Sequence, residues 1–288
     1  MAHRTSPQGA LTGRRPGGDD RDVRYFNLLS FIVSNAIAGE IMAVENYSEM
    51  VHLMLTTDSK IETVNQAKEE CKHILLLSKL GRSLEFAVER QIVEPQWKNI
   101  RKHFSTAAGK GDLPACLIIQ DLLTESMAIV LYKTLSAEVD TDPQTAAVAS
   151  NILVDELEHL DIGVRRIKAL LDEDPDRVQD ALVWAHHRVM PELFGMISTS
   201  CHSLCDVLAV DCSSLALDSI RTDIETLKIQ ALERYIETLD VAGFSPTVTS
   251  PLIASMSAYE GMGRIAVGLN DASGGACCSP ESAKGKRC

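Results

Sequence analysis

Leu122-Leu123-Thr124-Glu125-Ser126-Met127-Ala128-Ile129-Val130 sets one carboxylate in the middle of an apolar run. The run belongs to a longer stretch, about 112 to 138, in which apolar residues recur at helical spacing. A carboxylate on such a helix cannot stay ionised and alone, because burying an unpaired charge is costly; it must be neutralised, paired with a cation or bound to metal. The segment Ala36-Ile37-Ala38-Gly39-Glu40-Ile41-Met42-Ala43-Val44 poses the same problem at Glu40. Two carboxylates therefore need partners inside the fold.

Those partners are supplied by two copies of Glu-x-x-His, Glu70-Cys71-Lys72-His73 and Glu156-Leu157-Glu158-His159. Residues three apart share a helix face, so each pair can bind one metal ion. One such motif alone says little. The spacing makes the set informative: Glu40 precedes Glu70 by 30 residues and Glu125 precedes Glu156 by 31, each from the preceding predicted helix. The chain thus reads as a repeated helix pair. Four carboxylates and two imidazoles in this arrangement are the ligand set of ferritin-like di-iron carboxylate bundles.

Around this constellation the chain is long and helical. Its 288 residues are 45% hydrophobic, and Lys+Arg 28 against Asp+Glu 40 gives a net charge of -12. That sign is wrong for gripping a phosphate backbone, so no nucleic-acid partner is expected. Six long helices are predicted, at about 23–56, 59–92, 112–138, 143–171, 176–211 and 214–241, with a weaker one over 95–107 and another over 249–267. Thr57-Asp58-Ser59, Thr141-Asp142-Pro143 and Asp174-Pro175 supply caps. No period-2 run demands a strand. The expected fold class is all-α, a ferritin-like bundle with extra C-terminal helices.

Residues 1–22 and 270–288 lack apolar periodicity and are expected to be disordered, leaving 23–269 as the folded domain. The stretch Leu28 to Ile37 is broken by Ser34 and Asn35, and no run of about 20 consecutive apolar residues stands out as a membrane span. No secretory signal is legible, so the expected location is cytoplasmic, with reduced thiols. Cys201, Cys205 and Cys212 lack a second paired motif and read as small hydrophobes, and Cys277, Cys278 and Cys288 as an exposed tail.

Tyr47 and Tyr132 each follow a candidate ligand by seven residues, two turns along one face, where a phenol can hydrogen-bond a carboxylate or carry an electron. They are the candidate catalytic residues. Asp155 can orient His73 or His159 through a free ring nitrogen. Glu45 competes with Glu40 for the first ligand position, but Glu40 has the more apolar surroundings and the matching spacing. His186-His187 reads as solvated or capping, and Glu158 as a surface charge.

These motifs resemble the aldehyde-deformylating oxygenases, or fatty aldehyde decarbonylases. The likeness is carried by Gly39-Glu40, Ala43 and Asn46-Tyr47; by Glu70, His73, Gly81-Arg82 and Leu84; by Cys116 through Gln120 with Glu125, Ala128-Ile129 and Tyr132; and by Asp155-Glu156, His159-Leu160 and Gly163. Tyr235 and Gly243-Phe244 resemble the family's C-terminal helix. The resemblance implies two iron ions held by Glu40, Glu70, His73, Glu125, Glu156 and His159, with manganese or a mixed pair as the alternative. It also implies O2 as co-substrate, electrons from a ferredoxin, and cleavage of a long-chain aldehyde to formate and a hydrocarbon one carbon shorter. Leu131, where the family has a small residue, and Leu80, where it has a cysteine, leave room for a different substrate and for hydroxylation, N-oxygenation or desaturation. A third reading is a non-catalytic iron-binding or structural bundle.

Overall fold

The computed structural model describes residues 23–86, 88, 94–137, 141–208 and 217–256, and these contain helices and turns but no strand. The N-terminal arm, the tail with Cys277, Cys278 and Cys288, residues 257–269 and Cys212 lie outside the described residues. Helix α1 spans Val23–Met50 and runs into a short 3-10 turn, Val51–Leu53; α2 spans Thr57–Ser83 and α3 Glu94–Ala108. One long helix follows in three parts: α4, Leu113–Leu117; a π-helical stretch, Ile118–Thr124; and α5, Glu125–Leu135. Then come α6, Pro143–Glu173, α7, Pro175–Leu208, α8, Leu217–Val241, and a last helix, α9, over residues 246–256.

Local chemistry sets these boundaries. Thr56 caps α2 in a reciprocal box with Ser59, and Asp142 caps α6 by accepting from the backbone N–H groups of Gln144 and Thr145, a cap worth about 1 kcal/mol. Gly243, at a φ of 89°, closes α8, with the Phe244 N–H donating to the Leu239 carbonyl. The sequence reading carried the second helix to residue 92; the structure ends it at Ser83. Leu84 and Phe86 do not continue the helix. Glu85 turns the chain at a φ of 56°, and Phe86 folds back onto Gly81, where a Cβ would meet its ring at 3.2 Å.

Helices α1 and α2 pair antiparallel, as do α5 and α6, and α2 lies beside α6 to complete the four-helix unit. Helices α3, α7 and α8 pack around it. Two apolar clusters fill the interior. One gathers the π stretch, α7 and α8 with Tyr47; the other gathers Phe26, Val33 and Ile37 of α1 with Leu77, Leu80, Tyr132 and Ile152. The run Leu113–Leu135 is apolar and long enough to cross a membrane, a point the sequence reading passed over; 83% of its most apolar window is buried in this bundle, as befits a core helix.

Gly163 of α6 allows the closest approach, since a Cβ there would lie 2.3 Å from the Asp121 Cβ on the π stretch. His186 corrects the expectation of a solvated residue. It is fully buried and hydrogen-bonds the Tyr235 hydroxyl at 2.7 Å and the Ser255 hydroxyl at 3.0 Å, tying α7 to α8 and α9. The i+3 spacing of apolar neighbours places it inward, which the adjacent His187 concealed.

Two outcomes follow. Gly163→Ala must push α6 off the π stretch, and thermal melts should show a loss of about 1–3 kcal/mol. Burial, with His187 beside it, pushes His186 down to about 4 from its ordinary 6.5. The unfolded chain therefore takes the proton first, so this contribution is complete above about pH 6.5 and is lost as pH falls toward 4. His186→Gln should flatten that part of the profile of Tm against pH.

Candidate metal centre

The repeat brings all six candidate ligands to one place between the two apolar clusters. Glu40, Glu70, His73, Glu125, Glu156 and His159 are each at most 6% exposed. One ligand atom from each of Glu40, Glu70, His73 and Glu156 lies within 4.8 Å of the others, and the same holds for Glu70, Glu125, Glu156 and His159. Glu70 and Glu156 belong to both groups and so stand between two positions, with Glu40 and His73 on one side and Glu125 and His159 on the other. Glu45, the rejected competitor, pairs with Arg101 instead, and Glu158 is exposed.

Second contacts cross between the halves of the repeat. Tyr47, on the helix of Glu40, donates to Glu125 at 2.8 Å, while Tyr132, on the helix of Glu125, donates to Glu40. Burial and the nearby carboxylates push both phenols well above their ordinary pKa, so they remain donors. His73 turns its Nε2 to Asp155, 3.1 Å away, and His159 turns its Nε2 to Glu69, 2.9 Å away. Asp155 precedes one ligand glutamate in sequence as Glu69 precedes the other. That parallel could have identified Glu69, but the sequence reading singled out only Asp155.

Asn46 and Gln120, which carry part of the family likeness, and Gln66 were given no role at the site by the sequence reading. Asn46 donates to Gln120 at 2.7 Å, Gln120 donates to Glu125 at 2.9 Å, and Gln66 donates to the Tyr47 hydroxyl at 3.1 Å. Gln120 is five residues before Glu125, a spacing that faces away on an α-helix but aligns across the π stretch. The Thr124 hydroxyl makes the same five-residue reach to the Ile119 carbonyl. Beyond Gln66, Arg166 binds Gln66, Glu62 and the buried Asp121.

Charge decides what this site can hold. Burial, then repulsion from Glu156 and Glu70, drives Glu40 and Glu125 well above the ordinary carboxylate range. Burial acts the same way on Glu70 and Glu156, but hydrogen bonds from neighbouring acids and imidazoles outweigh it and hold both low. Burial disfavours the imidazolium form of His73 and His159, yet the surrounding carboxylates raise both. These opposed directions mark a cluster whose negative charge has to be offset from within. Two divalent cations would offset it, their four positive charges against four carboxylates, and would leave the imidazoles neutral as ligands require. Buried Glu70 Oε1, Glu156 Oε1 and His159 Nδ1 have no hydrogen-bond partner; Glu70 Oε1 and His159 Nδ1 face each other at 3.2 Å without alignment. Unpartnered carboxylate oxygens and an unaligned ring nitrogen, gathered in the two groups, fit a pair of metal ions.

From this site a cavity of about 150 Å³ opens, with Glu40, Glu125, Glu156 and Tyr132 at its polar end. Its other walls are mostly apolar, with Phe31, Ile32 and Ala36 of α1, Met127 and Leu131 of α5, Leu193 and Ile197 of α7, and Leu227 of α8, and with Asn35, Gln120 and Thr124 as polar members. Trp97 of α3 covers one side, with its ring against Gly39 and its indole N–H on Asn35 at 2.7 Å. Leu131 lines the space, and Leu80 is packed in the second apolar cluster.

Fold and site together define a ferritin-like helical bundle whose buried Glu/His clusters could hold metal ions. Residues 23–245 match the long-chain fatty aldehyde decarbonylase family, and the chain belongs to that family. It is an enzyme of the aldehyde-deformylating, di-iron oxygenase class. A protein with aldehyde deformylating oxidase activity from Synechococcus shares the fold at a TM-score of 0.65 and 19% identity, over 81% of this chain and 97% of that one. An R2-like ligand-binding oxidase from Sulfolobus acidocaldarius shares it at 0.57 and 18% identity, over 79% and 82%.

His159→Ala removes a candidate ligand whose side chain contributes little to either apolar cluster. Metal analysis should show loss of bound iron, while the far-UV helical signal stays close to that of the parent chain.

Proposed function

We propose that this chain binds two iron ions through Glu40, Glu70, His73, Glu125, Glu156 and His159 and uses O2 to split a long-chain aldehyde into formate and a hydrocarbon one carbon shorter. The observation that carries this reading is the junction of the ligand cluster with an apolar cavity that reaches four of its carboxylates. Aldehyde, O2, four electrons and three protons balance against hydrocarbon, formate and water, so the site must receive electrons from outside. A ferredoxin-type one-electron carrier is the proposed donor, and the cytoplasm the proposed location.

Bound iron would supply the redox chemistry that activates O2 next to the carbonyl carbon. The protein's own groups set the conditions. Met127, Leu131, Leu193 and Ile197 exclude water from the alkyl chain and leave the polar end as the place where the aldehyde group can rest. Glu70 and Glu156 would help hold both metal ions, and Tyr47 and Tyr132 hold Glu125 and Glu40 by hydrogen bonds, limiting which carboxylate oxygen turns to the cavity. His73 and His159 are oriented by Asp155 and Glu69 so that each presents Nδ1 inward.

Protein grown with added iron and reduced should contain close to two irons per chain and convert a long-chain aldehyde to hydrocarbon and formate in equal amounts, read by gas chromatography and a formate assay. Two irons without hydrocarbon would transfer the site to another substrate. Leu131→Ala enlarges the cavity wall and should move the preferred aldehyde toward longer chains, with kcat/KM changing about tenfold between the best substrates of the two proteins.

A further inference from the structure

Helices α2 and α6 form one outer face of the bundle, and both ligand imidazoles point their far nitrogens toward it. His73 Nε2 meets Asp155 and His159 Nε2 meets Glu69, so a single carboxylate separates each imidazole from solvent. Asp155 in turn accepts from the ammonium of Lys72, which is exposed at the surface. Among the described residues no other candidate ligand has a bonded route this short to the outside; the carboxylates of Glu40 and Glu125 lead to buried phenols.

The surface over these routes differs from the rest of an acidic chain. Lys68, Lys72, Leu75, Lys79 and Arg82 follow one another at three- and four-residue steps and form one exposed stripe of α2. Opposite the basic end of the stripe, the N-terminal half of α6 exposes Ser150, Asn151 and Val154, with no charge from Gln144 to Val154. Leu75 and Val154 are 68% and 65% exposed, two large apolar side chains beside the Lys72–Asp155 pair. At the other end of the seam Glu62 and Asp161 are matched by Arg165 and Arg166, and Glu158 beside His159 is the exposed acid on the α6 side. A basic stripe with an apolar centre, on a protein of net charge -12, suits a partner that is acidic around a small apolar contact.

We infer that this α2–α6 face is the docking surface for the electron donor, a small acidic one-electron carrier protein, and that electrons enter through the His73–Asp155 and His159–Glu69 contacts. The inference rests on the oxygenase reading above. Each encounter oxidises the reduced carrier by one electron and reduces the metal centre by one, with no bond made or broken between the proteins. The encounter must be repeated for each turnover, which favours weak, charge-steered binding over a permanent complex.

The test compares two triple variants of the full chain with equal change in net charge. Lys68→Glu, Lys79→Glu and Arg82→Glu reverse the face; Lys98→Glu, Lys102→Glu and Lys110→Glu reverse charges on and after α3. The probe is a plant-type [2Fe–2S] ferredoxin, with its Kd measured by calorimetry at low ionic strength and turnover followed in parallel with a small-molecule electron mediator. The face variant should bind at least about tenfold more weakly and lose most of its salt dependence, with mediator-driven turnover within about twofold of the parent. The α3 variant should bind like the parent. Equal weakening of both variants, unchanged binding by the face variant, no measurable binding by the parent, or a change in oligomeric state without loss of carrier binding would each overturn the docking surface. Failure of the parent to cleave aldehyde even with the mediator would instead overturn the oxygenase reading, and the calorimetry would still decide the docking surface.

Discussion

The structure depends on the need to neutralise four carboxylates inside an apolar bundle. Neither cluster of hydrophobic residues would tolerate Glu40, Glu70, Glu125 or Glu156 alone, since each is nearly inaccessible to water. Their mutual repulsion has to be cancelled from within, by protons, imidazolium groups or metal ions. Everything near the site serves that requirement: two imidazoles among the carboxylates, two phenols and a glutamine that only donate to them, and the outer acids Asp155 and Glu69 that fix the imidazole rings.

The apolar packing and the polar site are therefore complementary. The π stretch widens the long central helix where Gln120, Asp121 and Thr124 must all fit. It brings Gln120 onto Glu125 and lets Gly163 close against Asp121. Burial raises Asp121 to about 6, and Arg166 works against that rise by binding its carboxylate. A polar layer runs beside the ligands from Asn46 to Arg166, while the opposite side opens to an apolar cavity. One side of the centre is thus hydrogen-bonded and the other is left for an oily molecule.

Much of this was legible in the sequence because it repeats. The two Glu-x-x-His motifs, the matching lead of 30 and 31 residues and the apolar settings of Glu40 and Glu125 named the six residues that the fold assembles. What escaped had physical causes. The role of Gln120 was hidden because its five-residue spacing has meaning only on a π-helix, which apolar periodicity does not reveal. Glu69 was masked by its neighbour Glu70. The end of α2 was misplaced because Leu84 and Phe86 extend the apolar pattern while the backbone has already turned at Glu85. His186 was taken for a surface residue because its partners, Tyr235 and Ser255, come from helices far along the chain.

The crossing of contacts at the site has a consequence for how the molecule is assembled. Tyr47 serves Glu125 as Tyr132 serves Glu40, and Asp155 serves His73 as Glu69 serves His159. Exchanging the two helix pairs maps each contact onto its counterpart, so the chain meets itself across an approximate twofold axis, as two subunits of a symmetric dimer would. Each half helps hold the other half's candidate ligands in place, and Gln120 supports Glu125 from within its own half. The chain that runs from α2 through α3 to the long central helix thus guarantees a one-to-one ratio of halves, and makes the candidate metal centre a property of their union.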